Sequence, residues 1–312
     1  MIGQSEEMRQ IFNTIEVVAP SHASVLIVGE SGTGKELVAR AIHQKSGRWK
    51  GPFIALNCGA FPREILENEL FGHERGAFTG AIAEKPGCFE LANGGTLFLD
   101  EVAEMEPDIQ VKFLRALEQH SFRRLGGKKE IEVDIRVIAA TNKNVDEALK
   151  EGKLREDLYH RLAVIPIYLP PLRERVSDIR LLAHEFLRRF AQANGKDIKG
   201  FSEGALEYLE TYRWPGNVRE LKNAIERAVI LAKGDRIEVA DLQPRHMARE
   251  EQEVRIPVGS SLQDAGRLLI LKTFAFTGGD HGKTAKILGI SEKELRDRLM
   301  TYMEMGEPVA AN

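Results

Sequence analysis

Cysteine is nearly absent from this chain of 312 residues: Cys58 and Cys88 are the only two. Thiols so far apart in sequence supply neither a disulfide framework nor a zinc site, since neither has a second ligand at metal spacing. Both read as buried small hydrophobes. Long apolar runs are missing as well. Stretches such as Thr96–Leu99 and Val137–Ala140 fall far short of the ~20 residues that a bilayer-spanning helix requires, so no membrane segment is expected. The amino terminus, MIGQSEEMRQ, carries acids and lacks the apolar core of a secretory signal, which places the protein in the cytoplasm. Neither sign of charge dominates. With 44 Lys and Arg against 47 Asp and Glu the net charge is −3, so a nucleic-acid role would have to come from a local patch. Repeats and low-complexity tracts are also missing. What remains has ordinary soluble composition and a length that suits about two domains and a small third one.

Short runs rich in branched residues at 24–28, 53–56, 96–100 and 135–141 read as buried strands. Helix-like periods lie between them. Residues 35–46 set Leu37, Val38, Ala41 and Ile42 on one face, and 108–119 do the same with Ile109, Val111, Phe113, Leu114 and Leu117. Strand and helix in alternation predict an α/β fold with a parallel sheet between helices. After Ile167–Leu169 the double proline Pro170–Pro171 ends the pattern, and helical periods follow at 176–193, 202–212 and 216–232. Charge and a proline break the periodicity at 246–259. The division expected is an α/β nucleotide-binding subdomain at 1–169, a helical lid at 170–245, a linker at 246–261 and a last helical unit at 262–306.

Directly after the first strand stands Gly29-Glu30-Ser31-Gly32-Thr33-Gly34-Lys35, a G-x-x-x-x-G-K loop that opens a helix, the context the motif physically requires. Glycines turn backbone N–H groups inward to cradle phosphates, Lys35 supplies a point charge, and the helix start adds partial positive charge. Glu36 occupies the position where the general motif has a hydroxyl facing Mg²⁺, so the metal needs another partner, Asp100 or water. The strand Thr96–Asp100 followed by Glu101 offers two acids at a strand end: Asp100 to organise the metal and Glu101 as general base. ATP hydrolysis with Mg²⁺ is the chemistry expected.

Gly76-Ala77-Phe78-Thr79-Gly80-Ala81 then decides among ATPases, because this hexapeptide resembles the loop of bacterial enhancer-binding proteins, the AAA+ activators of sigma-54 RNA polymerase. Gly29–Glu36, Leu70–Glu74, Gly94–Glu101, Ala139–Asn142, Pro170–Arg175 and Trp214–Leu221 are similar to that family's blocks, in its order. Glu36 is usual there. The resemblance covers about residues 1–245 and implies a P-loop ATPase fold with a helical lid and a C-terminal helix-turn-helix.

It implies roles position by position. Gly76–Ala81 would touch sigma-54, with Phe78 and Thr79 in contact; flanking glycines let such a loop fold out and retract. Asn57 would hydrogen-bond Glu101 and gate it. Thr141 and Asn142 resemble sensor I and would feel the γ-phosphate. Arg155 and Arg161 resemble the pair that reaches the neighbouring subunit's nucleotide, and Arg219 resembles sensor II, acting from the lid. Phe122–Gly127 with Lys128 and Lys129 suggests a second loop, near the first in the family or facing promoter DNA. The chain opens at Ile2–Ser5, which resembles the start of the family's ATPase region, so no receiver or ligand-sensing domain is expected before it.

Residues 277–302 resemble the family's Fis-like helix-turn-helix. Ala285, Leu288, Ile290, Leu295 and Leu299 would form its packed face, Gly289 the turn and Ser291 the cap of a recognition helix offering Lys293, Arg296 and Arg298 to enhancer DNA. Between residues 263 and 306 bases outnumber acids by one, so tight DNA binding would require a dimer or hexamer to sum weak contacts. The expected activity is remodelling of the sigma-54 holoenzyme by a homo-oligomer, dimer to hexameric ring. Two other classes stay open: a DNA-binding regulator switched by nucleotide without productive hydrolysis, and an AAA+ unfoldase or clamp loader, which lacks such a loop.

Overall fold

The computed structural model describes residues 1–242, 256, 259–277 and 279–304, and the chain forms two compact units, Met1–Leu242 and Gln243–Asn312. Most of the expected linker lies outside the described residues. In the first unit, β1 (Val25–Val28), β2 (Phe53–Asn57), β3 (Thr96–Asp100), β4 (Arg136–Thr141) and β5 (Ile165–Tyr168) form one parallel sheet in the order β2-β3-β4-β1-β5. All six residues of β4 are buried, as a central parallel strand covered on both faces requires. Pro166 sits in the edge strand β5, where a missing N–H is tolerated.

Alternation along the strands sorts their side chains into two cores. Ile27, Phe98, Ile138 and Ala140 pack with Ile11 and Ile15 of helix Glu6–Val18 and Val38 and Ile42 of helix Lys35–Lys45. Leu26, Leu97, Leu99, Val137 and Ala139 face the other way, onto Leu66, Leu70, Phe113, Leu117 and Leu158. The helix after the phosphate loop is rotated from the expected face: Val38, Ala39, Ile42 and His43 are buried, while Leu37 is 57% exposed. His43 earns its place inside by pairing its Nδ1 with the Thr96 hydroxyl at 2.9 Å. Both cysteines are buried and free, and burial pushes the Cys88 thiol up to about 11.

A helical subdomain follows. Helices Val176–Asn194, Glu203–Thr211 and Asn217–Leu231 enclose Trp214, whose Nε1–H donates to the Leu209 carbonyl at 2.7 Å. The Ser202 hydroxyl accepts from the Ala205 N–H and starts the second of them.

The second unit holds helices Leu262–Phe276, His281–Leu288 and Glu292–Glu304 around Ile270, Phe274, Ala285, Leu295 and Leu299. Gly289 turns between the last two with φ 68°, and the Ser291 hydroxyl accepts from the Glu294 N–H.

Candidate functional site

The carboxyl edge of the sheet gathers the chemistry. Asn57 lies in register with Asp100, and Thr141 with Val28, while the Gly29 N–H donates to the Thr141 carbonyl at 3.1 Å. The loop Gly29–Lys35 therefore leaves β1 beside the two acids. Gly32 and Gly34 adopt φ of 79° and 105°, values that glycine reaches without penalty, and Gly34 precedes the helix start. A Cβ at Gly34 would meet nothing nearer than Leu37 at 3.9 Å, so the cradle is open on that side. Lys35 is buried, its Nζ donating to the Gly29 and Glu30 carbonyls at 2.9 and 3.2 Å. Burial pulls its pKa down, while the nearby Asp100 and Glu101 charges oppose the shift. A glycine-bent loop at a helix start, a buried ammonium and a carboxylate at the strand end fit a Mg²⁺-bound polyphosphate.

Glu101 departs from ordinary backbone, with φ 56° and ψ 43°. A non-glycine residue held there stores ~1–3 kcal/mol, as active-site residues often do. Its carboxylate abuts Gly59, where any added Cβ would collide with Oε2. Asn57 approaches the same glycine, its Oδ1 accepting from the Gly59 N–H at 2.8 Å. The direct Asn57–Glu101 hydrogen bond that the resemblance implies is not formed: the Gly59 backbone takes the amide instead. Thr141 is buried, its hydroxyl accepting from the Lys143 N–H at 3.1 Å, and Asn142 beside it is exposed. Glu36 turns away from the cradle to pair with Arg40 at 2.7 Å on the exposed helix face, so its side chain is not brought to the phosphate loop.

The helical subdomain reaches the loop from above. Arg219 comes to it, Nη1 donating to the Ser31 hydroxyl at 3.0 Å. Sequence reasoning missed three further contacts. Asn217, buried at φ 51°, donates from Nδ2 to Glu30 and to the Ser31 carbonyl at 3.1 Å each, and accepts from the Leu172 N–H at 2.7 Å. Arg173 grips the Glu30 carboxylate with two bonds of 2.7 and 2.8 Å; Arg173 first and Asn217 second hold that carboxyl below its usual range. Arg175, buried, donates to the Thr33 carbonyl at 3.0 Å. All three sit in the blocks Pro170–Arg175 and Trp214–Leu221, which marked them as special but not as partners of the loop.

Arg155 and Arg161 are not brought to this edge. Arg155 stands just before helix Glu156–Leu162, and its side chain pairs twice with Asp157, at 3.1 and 2.7 Å. Arg161, half-buried, donates to the Leu117 carbonyl at 3.0 Å.

Residues 76–81 close on themselves at the end of the second core. The Gly76 N–H donates to the Ala81 carbonyl at 2.8 Å, and the Ala81 N–H to Phe78 at 3.0 Å. Ala81 is therefore buried, against the expectation that all six residues face a partner, whereas Phe78 stays 48% exposed. The second loop lies against the first: the Glu74 N–H donates to the Leu125 carbonyl at 3.0 Å, and Gly126 touches Ala77. Arg124 ties both feet down, contacting Glu74 at 3.2 Å, Glu84 at 3.0 Å and Glu90 at 2.7 Å.

A family profile described as the Sigma-54 interaction domain matches residues 1–168, and one described as the AAA+ ATPase lid domain matches 173–256. The chain belongs to the sigma-54-dependent transcriptional activators. The chain is 45% identical to the nitrogen fixation protein AnfA of Azotobacter vinelandii over 97% of its own length and 57% of AnfA. It is 47% identical to the transcriptional regulatory protein ZraR of Salmonella typhimurium over 96% of its length and 68% of that relative. The crystal structure of NtrX from Brucella abortus in complex with ADP superposes with a TM-score of 0.74 at 36% identity, covering 96% of this chain and 69% of NtrX. The chain thus spans between about half and two-thirds of these relatives. It has the AAA+ ATP-binding fold with its lid, and no described helix is long and apolar enough to cross a membrane.

In the second unit, Lys293, Arg296 and Arg298 are exposed on the last helix, two of them drawn to Glu292 and Glu294 one turn back. Among the described residues no group of three or more His, Cys, Asp or Glu is placed to hold a metal.

The clamp on the loop feet is expected to fail in acid. Arg124 holds the Glu90 carboxyl below its ordinary range, so the contact contributes fully above about pH 4.3, the unfolded value. It is lost as pH falls through the lower, folded value. Thermal melts of Arg124→Met and the parent should converge below that range and separate near neutrality; parallel profiles at every pH would refute the coupling.

Proposed function

We propose that this activator is a ring-forming ATPase, assembling from dimer to hexamer, that spends Mg²⁺-ATP on remodelling closed complexes of sigma-54 RNA polymerase. The backbone of Gly29–Gly34, with Glu30, Ser31 and Thr33, surrounds the phosphates, and Lys35 faces the β and γ groups. Asp100 holds Mg²⁺, which when bound neutralises phosphate charge. Glu101 accepts the proton of the attacking water. Thr141 and Asn142 sense the γ-phosphate from the sheet and Arg219 from the lid. Asn57 reports on Glu101 through Gly59. Arg155 and Arg161 act on the nucleotide of the adjacent protomer, each exchanging its present partner for phosphate oxygens. On this reading 1–169 is the hydrolytic body, 170–245 the lid, 246–261 a linker and 262–306 a helix-turn-helix that offers Lys293, Arg296 and Arg298 to enhancer DNA. The protein works in the cytoplasm.

One observation carries the reading: a phenylalanine half in water at the tip of a glycine-flanked loop whose feet are clamped to the ATPase body. A lone monomer gains nothing from that exposure, whereas a partner surface would bury it. Phe78→Ala is expected to abolish open-complex formation with sigma-54 holoenzyme while ATP turnover stays within about two-fold. Open complexes formed at the parent rate would overturn the assignment.

A further inference from the structure

One side chain touches every moving part of the Phe78 loop. His73 is buried in the short ladder that pairs Gly72–His73 with Lys85–Pro86, and Leu125 of the second loop bridges to it from the other side. Its Nε2 lies 3.0 Å from the Ala83 carbonyl, on the returning limb of the loop, and its Nδ1 lies 2.7 Å from the Asn68 side-chain oxygen. Its ring meets the Phe78 ring edge-on, with centroids 4.9 Å apart and planes at 63°. Because the Ala83 carbonyl can only accept, Nε2 donates to it; Nδ1 of the neutral ring then accepts, and the Asn68 amide turns its Nδ2–H toward it. Asn68 belongs to helix Arg63–Phe71, which follows the turn Cys58–Ala60 whose Gly59 lies against Asn57 and Glu101.

Open space surrounds the two glycines of the tip. Gly76 and Gly80 both have positive φ, and a Cβ at either would meet nothing within 4 Å. The tip therefore has room around it, and His73 is the group on which its aromatic rests. We propose that His73 is a positioning residue that seats the Phe78 ring against the loop base and links that seat, through Asn68, to the helix leading from the Glu101 side of the ATP site. Helix Arg63–Phe71 and the seat move together: a shift of Asn68 pulls on Nδ1, turns the imidazole and withdraws the surface on which Phe78 rests. An edge-on aromatic contact is worth about a two- to ten-fold bias between seated and released tips, enough to hold the finger down and small enough to be reversed by a change at the nucleotide. That the released ring engages sigma-54 rests on the function proposed above; the seat itself does not.

The test labels Phe78 with 4-fluorophenylalanine in the full chain and reads ¹⁹F spectra without nucleotide. In the parent the resonance should be displaced from that of an unfolded control by the imidazole ring. His73→Gln, which keeps a donor for Ala83 and removes the ring, is expected to move it toward the control value. His73→Phe, which keeps a ring and loses the donor, should leave it displaced. A resonance unmoved by His73→Gln, or moved equally by both variants, would overturn the seat. Should a His73 variant not fold, the reciprocal reading uses the native histidine: Phe78→Leu must shift the His73 ring-proton resonances, and unchanged His73 signals would refute the contact. For the link to the helix, Asn68→Ala should release the fluorine signal by about two- to ten-fold in population while ATP turnover holds within about two-fold; an unaltered spectrum would remove Asn68 from the proposal. None of these readouts contains polymerase, so failure of Phe78→Ala to affect open-complex formation would sink the partner assignment and leave the seat standing.

Discussion

Arg161→Ala is expected to lower ATP turnover by ~10³–10⁵-fold, the range measured for guanidiniums that stabilise a transferring phosphoryl group in trans, while each protomer still binds ATP. The residue lies away from its own Lys35, Asp100 and Glu101 and at present donates only to the Leu117 carbonyl. A loss of that size can therefore come only through another copy of the chain. Two further signs should accompany it. Specific activity of the parent should climb with protein concentration. Mixing Arg161→Ala with Lys35→Ala, each inactive alone, should restore turnover, because the second variant keeps its arginines and the first its phosphate loop. Arg155→Ala is expected to behave the same way, Asp157 losing its partner. A flat concentration profile together with no complementation would show that neither arginine acts across an interface.

Glu101→Gln should retain ATP and lose ~10²–10⁴ in turnover, the usual contribution of a positioned general base. The amide keeps the size of the carboxylate against Gly59 and leaves the backbone at its unusual φ, so the effect isolates the proton acceptor. Phosphate release at saturating ATP is the measurement, with nucleotide retention on a filter as the control. Turnover at the parent rate would take Glu101 out of the base role and leave Asp100 to be examined in its place.

Much of this molecule could be read before its fold was known, and the limits have physical causes. Four of the five strands declare themselves as short apolar runs, and the central ones, Thr96–Leu99 and Val137–Ala140, are continuously apolar because parallel strands buried on both faces must be. The phosphate loop is legible because only glycine enters the backbone conformations it needs. The orientation of helix Lys35–Lys45 was harder. Leu37 fits the apolar period as well as His43 does the polar one, yet His43 is inside because Thr96, far along the chain, offers it a hydrogen bond.

Contacts of that kind escape periodicity altogether. Asn217 and Arg173 reach Glu30 across 187 and 143 residues of sequence, and no local pattern says that a lid residue will grip the loop. Ala81 was expected at a partner surface, but an N–H and a carbonyl committed to Phe78 and Gly76 turn it inward. Glu36 and Arg155 were legible as members of motifs, while their present partners, Arg40 and Asp157, follow from ordinary short-range pairing that a motif does not encode.

The position of Lys35 has a thermodynamic consequence. Its ammonium shed most of its hydration as the chain folded, and two main-chain oxygens now stand where water was. An incoming anion consequently inherits a dry cation by swapping oxygen for oxygen. Dehydration belongs to the folding equilibrium, and recognition is left with little solvent to reorganise.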